Sequence, residues 1–489
     1  MLRSWDLNLR ITKSSGLVVY LQIAQQIIDE IQRGRLVPSA AMPGTRELAE
    51  SLKVNRKTVV LAYDELIAQG WLTTENRRGT FVSAKLPHFS PLSGNNKPAK
   101  PRTIEKSVPM LEKYALTIEA EDITQAIDFN DGIPDSRLIP FETLSKAFRH
   151  ALIAPVRSNK LGYGDPKGML SLRHAIADML NMERGLSVDI DNICIARGSQ
   201  MGIFLAARVL AKPNEYVVVE NLSYPPAREA FRSCGAKILT VSLDDYGINV
   251  NELEELCKKY PISAIYVTPH HQFPTTVMMT AERRLKLLML AEQYDFVIVE
   301  DDYDHEFHFH HHPVFPLAST NHAGRVIYVG SLSKVLAPGL RVGYLVASKE
   351  IINQCASEVM LIDRQGNSVT ELAVATLMES GEIKRHIRRT LKVYNERRNI
   401  LIDLLQDELD QFVNFDPPNG GLAIWLRLND GIDMNKLVQK ALLEKVRILP
   451  GALFSESPAN INGIRLGFGS LNTKELATGI QRLKRAFNA

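Results

Sequence analysis

Ser331-Leu332-Ser333-Lys334, continued by Pro338-Gly339-Leu340-Arg341-Val342-Gly343, is the stretch on which the reading of this chain turns. It follows Val326 to Val329, a run apolar enough to be a buried strand. A lysine at a strand end, with the hydroxyls of Ser331 and Ser333 beside it and Arg341 nearby, suits a covalent cofactor site. Its amine can form a Schiff base with an aldehyde while hydroxyls and guanidinium hold a phosphate. Alone, such a lysine reads as an ordinary loop residue, so the rest of the chain decides.

Upstream, the strand Phe296 to Val299 runs into Glu300-Asp301-Asp302-Tyr303, which puts polar groups at a strand terminus, where α/β sheets bind ligands. A pyridine ring acts as an electron sink only when an anion keeps its nitrogen protonated, and Asp301 is the candidate. Tyr303 is placed to donate a hydrogen bond to the ring's phenolic oxygen and so tune the Schiff base. Gly198-Ser199-Gln200 opens an apolar helical run and offers backbone N–H groups and a hydroxyl to a phosphate. Tyr224, beside Pro225, is the candidate lid over the ring. Arg465, within Gly463-Ile464-Arg465-Leu466-Gly467-Phe468, suits a two-pronged carboxylate clamp. Each residue also has a plainer reading as a cap, a core tyrosine or a surface ion pair; their joint occurrence points to a phosphate-bearing pyridine aldehyde.

Further out, apolar runs at Tyr216 to Val219, Ala264 to Val267, Phe296 to Val299 and Val326 to Val329 alternate with helical stretches. That alternation predicts an α/β domain with a largely parallel sheet. Residues Tyr20 to Val82 form a different unit. Leu21, Ile23, Ala24, Ile27, Ile28 and Ile31 make the stripe of a first helix that Gly34 stops; Thr45 caps a second through Ser51; a third spans Asn55 to Gln69. Trp71 to Thr74 and Gly79 to Val82 read as a hairpin. Two helices, a tight turn and a hairpin make a winged helix-turn-helix whose recognition helix enters a major groove. Asn55, Arg56, Lys57 and Thr58 begin that helix, Arg46 lies one helix earlier, and Arg77 and Arg78 at the wing tip face phosphates; all seven are candidate contacts to double-stranded DNA. Between the units, Pro87, Pro91, Pro98, Pro101 and Pro109 lie among Ser, Asn and Lys, a composition that suits a linker. The expected division is 1–84, 85–121 and 122–489.

A chain of 489 residues exceeds one ordinary core, and 45% hydrophobic with 23% charged residues describes a folded globular protein. The net charge of +3 is too small to name a partner, so the distribution of charge carries the argument. Cys194, Cys234, Cys257 and Cys355 form no Cys-x-x-Cys pair, which removes the zinc-knuckle and dithiol readings. Neither a signal peptide nor a membrane-spanning run is read, and the expected location is the cytoplasm. His305, His308, His310, His311 and His312 invite a metal reading, but lack the acidic or cysteine spacing that would complete it, so no metal is expected.

Met42-Pro43-Gly44-Thr45-Arg46-Glu47-Leu48-Ala49, Asn55-Arg56-Lys57-Thr58-Val59 with Ala62-Tyr63, Leu66 with Gly70-Trp71-Leu72, and Arg78-Gly79-Thr80-Phe81-Val82 resemble the GntR family of winged-helix regulators. The later elements, in their order, resemble fold-type I aminotransferases, and the fusion resembles the MocR subfamily of GntR regulators, over nearly the whole chain outside the linker. The resemblance implies a large domain with a mainly parallel sheet and a smaller C-terminal α+β domain. It implies pyridoxal 5'-phosphate as cofactor, with Lys334 as the Schiff-base lysine, Asp301 at the ring nitrogen, Tyr303 at the ring oxygen, and Arg341 with Ser199, Ser331 and Ser333 around the phosphate. Tyr224 would stack on the ring and Arg465 would receive an effector's carboxylate. A head-to-tail homodimer is also implied. Two positions depart from it. Phe273, within His271-Gln272-Phe273-Pro274-Thr275, stands where enzymatic aminotransferases carry an amide, which weakens the expectation of turnover. Pro225-Pro226 after Tyr224 leaves no arginine where GABA-responsive relatives have a second clamp, with Arg228 as a conceivable substitute. The expected function is a transcription regulator that senses a small amine, an amino acid or the cofactor itself; the alternative is an active aminotransferase with an accessory DNA-binding domain.

Overall fold

The computed structural model describes residues 9–12, 16–75, 78–86, 126–157, 162–309, 314–320, 323–332, 334–457 and 461–489. Arg77, Ser333, His310 to His312 and nearly all of the expected linker lie outside them. The chain divides into two compact units, residues 1–111 and 112–489.

In the first unit, α1 (Val19–Gln32) buries Ile23, Ala24, Ile27 and Ile31 at helical spacing, and Gly34 ends it with a φ of 71°. Helix α2 (Thr45–Leu52) starts one position earlier than a Thr45 cap would allow: Gly44 is the N-cap, and Thr45 is the first helical residue. Helix α3 (Arg56–Ala68) is capped by the Asn55 side chain, which accepts from the Lys57 amide at 2.8 Å. Val59, Ala62, Tyr63 and Leu66 turn inward, and the Tyr63 hydroxyl donates to the Pro43 carbonyl at 2.9 Å, fastening α3 to the start of α2. The wing pairs β1 (Leu72–Glu75) with β2 (Gly79–Val82), Leu72 opposite Val82 and Glu75 opposite Gly79, so Glu75 is strand rather than turn.

The second unit is built on seven strands: β3 (Ile193–Ala196), β4 (Tyr216–Glu220), β5 (Lys237–Val241), β6 (Ile262–Val267), β7 (Val297–Asp302), β8 (Val326–Ser331) and β9 (Gly343–Val346). Their order is β3-β9-β8-β7-β6-β4-β5, and only β9 runs against its neighbours. The central strands are buried on both faces, as helices on each side of a parallel sheet require. Helices α4 (Ser199–Leu210) and α5 (Pro225–Ser233) pack on one face with α6 (Lys349–Asp363). A smaller antiparallel sheet, β10 (Val413–Asn414), β11 (Ala423–Leu428), β12 (Leu449–Pro450) and β13 (Gly463–Gly467), is covered by α7 (Glu382–Leu409) and α8 (Thr473–Asn488). Its order is β10-β11-β13-β12. The carboxyl ends of β7 and β8 and the start of α4 meet where the large sheet's connections open, and β13 brings Arg465 to the same place.

Candidate functional site

Strand β7 runs two residues beyond Glu300, so Asp301 is held in the sheet with its backbone fixed by pairing to Val329 of β8. It is 4% exposed; one carboxylate oxygen accepts from the Tyr266 hydroxyl at 2.7 Å, while Oδ1 has no hydrogen-bond partner. Burial pushes this carboxyl up to about 7, against the Tyr266 bond. A buried oxygen without a donor is costly unless a ligand completes it. A protonated pyridine nitrogen is a donor of the required kind, and it would also favour the ionised carboxylate.

Lys334 lies three residues past the end of β8, its Nζ 4.4 Å from the centre of the Tyr303 ring. Burial lowers its amine from the ordinary lysine value, with Asp131 and Asp304 opposing. A lowered pKa raises the fraction of unprotonated, nucleophilic amine. Tyr303 is buried, and its hydroxyl donates to the His271 carbonyl at 3.0 Å. The expected bond to a ring oxygen therefore requires this hydroxyl to be shared or redirected. Tyr224 caps α5 and meets Phe273 edge-on at 5.4 Å.

The phosphate side depends on close backbone approach. Gly198 has a φ of 78°, and a Cβ there would lie 2.8 Å from Nη2 of Arg341. A Cβ on Gly343 would lie 2.5 Å from the Gly198 backbone. The Arg341 guanidinium is thus brought against the N-terminus of α4, where it donates to the Arg197 carbonyl at 2.9 Å, with Ser199 in the first helical position. Helix-terminal N–H groups plus a guanidinium make an anion cradle. Ser331 is buried at the end of β8. The Gln200 side chain, in contrast, donates to the Pro226 carbonyl at 3.1 Å and so joins α4 to α5; its contribution to the cradle is limited to its backbone.

Arg465 is 1% exposed and makes three bonds to backbone carbonyls: Nε and Nη2 to Asp131 at 3.1 and 3.0 Å, Nη1 to Pro274 at 2.7 Å. Its guanidinium lies over the Phe273 ring at 4.6 Å. Three of its five N–H groups are spent on these carbonyls and the guanidinium also bonds the Tyr303 side chain, which leaves a donor for a ligand carboxylate. Among the described residues no carboxylate forms an ion pair with it.

In the first unit Arg46, Asn55, Arg56 and Lys57 are exposed and Thr58 is half-buried. Arg56 Nε donates to Thr45 Oγ1 at 3.3 Å, so the start of α3 and the start of α2 lie side by side. Asn55 spends its carbonyl on the cap and keeps its amide N–H groups for other partners. Arg78 pairs with Glu75 at 2.6 Å and lies over the Phe81 ring at 5.8 Å.

The family profile of bacterial regulatory proteins, gntR family, matches residues 19–82, and that of aminotransferase class I and II matches residues 124–487. Over 98% of this chain and 95% of its own length, the probable rhizopine catabolism regulatory protein MocR of Rhizobium meliloti is 29% identical. The chain belongs to the MocR subfamily of GntR regulators. The uncharacterized HTH-type transcriptional regulator YdeL of Bacillus subtilis is also 29% identical, across 99% of both chains. Among solved structures, the α-aminoadipate aminotransferase LysN of Thermus thermophilus, complexed with N-(5'-phosphopyridoxyl)-L-leucine, is similar at a TM-score of 0.68 and 29% identity, covering 74% of this chain and 92% of that one. The winged helix-turn-helix and fold-type I expectations hold, and the residues of this MocR-type pocket fit pyridoxal phosphate through the free Asp301 oxygen and the Arg341–Gly198 cradle.

Several pocket residues escape a reading of the sequence. Tyr266 sits in a run that reads as purely apolar strand, yet its hydroxyl holds Asp301. Asp131 acts on Arg465 through its carbonyl, which any residue supplies. His271 and Asp304 form a buried pair at 2.9 Å. Of the histidine run, His305 bonds Asp302 at 2.8 Å and stacks near His270, and these three bring candidate ligand atoms within 4.8 Å of one another. Tyr328 donates to Asp302 at 2.7 Å, and Arg184, paired with Glu306, lies 3.8 Å from it.

Proposed function

We propose that this protein is a pyridoxal-phosphate-dependent transcription regulator in which an amine-bearing small molecule at Lys334 changes how the winged helices hold an operator. The observation that carries the reading is the pairing, in one pocket, of a lysine with a lowered pKa and a buried Asp301 oxygen that awaits a donor. Bound there, the cofactor would supply an electrophilic carbon that exchanges Lys334 for another amine. Lys334 provides the attacking amine, Asp301 holds a proton on the ring nitrogen, Tyr303 presents its hydroxyl beside the lysine, and Tyr224 covers the ring. Arg341, with Ser199, Ser331, Ser333 and the backbone of Gln200, would hold the phosphate. Arg465 orients the incoming molecule by its carboxylate.

On the DNA side, Arg56, Lys57, Asn55 and Thr58 would read or position bases, while Arg46, Arg77 and Arg78 neutralise phosphates. Residues 1–84, 85–121 and 122–489 serve as DNA-binding domain, linker and effector domain. A head-to-tail homodimer fits two half-sites; exposed Phe141, Leu152, Met360 and Leu361 offer apolar surface for it. The cytoplasm is the proposed location, in keeping with the lack, among the described residues, of any helix long and apolar enough to cross a membrane. Coupling requires a ligand with unequal affinity for two arrangements.

The test follows visible absorbance and affinity for a duplex selected from a random library, in one titration with amino acids, while keto acid is assayed. A persistent spectral change, a shifted duplex affinity and no product are expected. Continuing product with unchanged duplex affinity would replace this reading by an aminotransferase, for which the retained Lys334, Asp301 and Arg465 speak. A shift on addition of cofactor alone would make pyridoxal phosphate the signal.

A further inference from the structure

On its Arg465 side the pocket has an apolar wall. Phe273 is the hub: it meets Tyr224 at 5.4 Å, Phe454 at 5.3 Å and Tyr303 at 6.0 Å, each close to edge-on, and its face lies under Arg465 at 4.6 Å. Leu222, Phe273, Tyr303 and Phe454 form one buried cluster, with Trp425, Leu449 and Ile461 packed against it. The cluster bridges Lys334, which lies against the Tyr303 ring, and Arg465. A molecule that reaches both groups therefore lies along aromatic and aliphatic side chains.

Two cations on α5 are paired with carboxylates. Arg228 on α5 pairs with Glu456 and lies 3.8 Å from Glu229; Arg232 pairs with Glu229 and, at 2.7 Å, with Glu456. Two guanidiniums thus face two carboxylates. Nη1 of Arg228 is buried without a hydrogen-bond partner, yet a second ligand carboxylate brought to it would also meet Glu456. A carboxylate or ammonium left among Phe273, Phe454 and Leu222 would be desolvated without compensation.

We infer that the effector is an amino acid with a single carboxylate and an apolar side chain, aromatic or branched aliphatic, whose side chain packs on Phe273 and Phe454. This rests on the cofactor reading of Lys334. Burial of such a side chain favours it over an acidic one of similar length by at least about tenfold.

The full-length, cofactor-loaded protein is titrated with L-phenylalanine, L-leucine, L-glutamate, γ-aminobutyrate and putrescine, with visible absorbance as readout. Half-maximal change at a concentration at least about tenfold lower for phenylalanine or leucine than for the other three is the expected result. An equal or stronger response to glutamate would assign Arg228 as a second clamp and overturn the inference; so would an equal response to γ-aminobutyrate, which has no side chain, or to putrescine, which has no carboxylate. Phe454→Ser should narrow the gap between phenylalanine and glutamate, and an unchanged gap in a folded variant also counts against the apolar wall. Failure of the wild-type chain to acquire cofactor absorbance at all is a different outcome, which sinks the cofactor reading itself.

Discussion

The start of α3 and the lysine pocket keep their charges in opposite ways. Arg46, Arg56 and Lys57 are exposed to solvent, Arg56 with a single bond to Thr45, at little cost to the folded chain. Asp301 and Arg465 are buried, with donors or acceptors left over, and Lys334 is desolvated enough to lower its pKa. Exposed charges bind a polyanion through counterion release, so their contribution is graded and fades with salt. Buried charges are worth much only when a complementary group arrives, so theirs is selective and tied to protonation. One chain thus holds a tunable grip on DNA and a stringent test for its small molecule.

The largest effect that would sharpen this contrast is at the lysine. Lys334→Ala should abolish the visible absorbance of bound cofactor while far-UV circular dichroism stays unchanged; retained absorbance would move the attachment elsewhere. Asp301→Asn comes next, weakening cofactor binding by about 10- to 100-fold in a fluorescence titration, since a hydrogen bond to a charged group contributes about 1.5 to 3 kcal/mol.

The same substitution has a pH signature. With its carboxyl raised from 3.8 to about 7 by burial, Asp301 binds a proton in the folded chain that the unfolded chain has already lost. Its contribution to cofactor-free stability therefore falls as pH rises from about 4 to about 7, and Asp301→Asn should remove that part of the slope in denaturant titrations. An identical slope in the variant would mean that Asp301 is ionised throughout.

Smaller effects belong to the DNA side. Arg56→Ala should weaken specific duplex binding by about 1 to 3 kcal/mol and relax preference at one position; equal losses on all sequences would make Arg56 a phosphate contact. Arg78→Ala should change affinity least, lowering the slope of log affinity against log salt by about one. An unchanged slope would mean that its pairing with Glu75 persists on DNA.

Much of this was legible because local rules decide it. The stripe Ile23, Ala24, Ile27, Ile31 and the terminator Gly34 placed α1, and the stretch from Ser331 to Gly343 marked residues that the fold brings to the end of β8 and the start of α4. Thr45 was misassigned as a cap because Gly44 does that task with backbone alone, which leaves no side-chain signal. The Gly198-Ser199-Gln200 stretch shows a helix start, but that the Gln200 side chain ties α4 to α5 depends on tertiary packing. Tyr266 and the Asp131 carbonyl are reached only through tertiary structure, across 35 and 334 positions of chain respectively. The same holds for Phe454, which meets Phe273 from a distant segment, so the aromatic wall has no signature in any one stretch.

The most direct measurement is borohydride reduction of the chain loaded with pyridoxal phosphate, followed by peptide mapping of the stable pyridoxyl label. Label on Lys334 alone, at one per chain, is the predicted result. Label spread over surface lysines, or absent from the peptide that contains Lys334, would contradict the account.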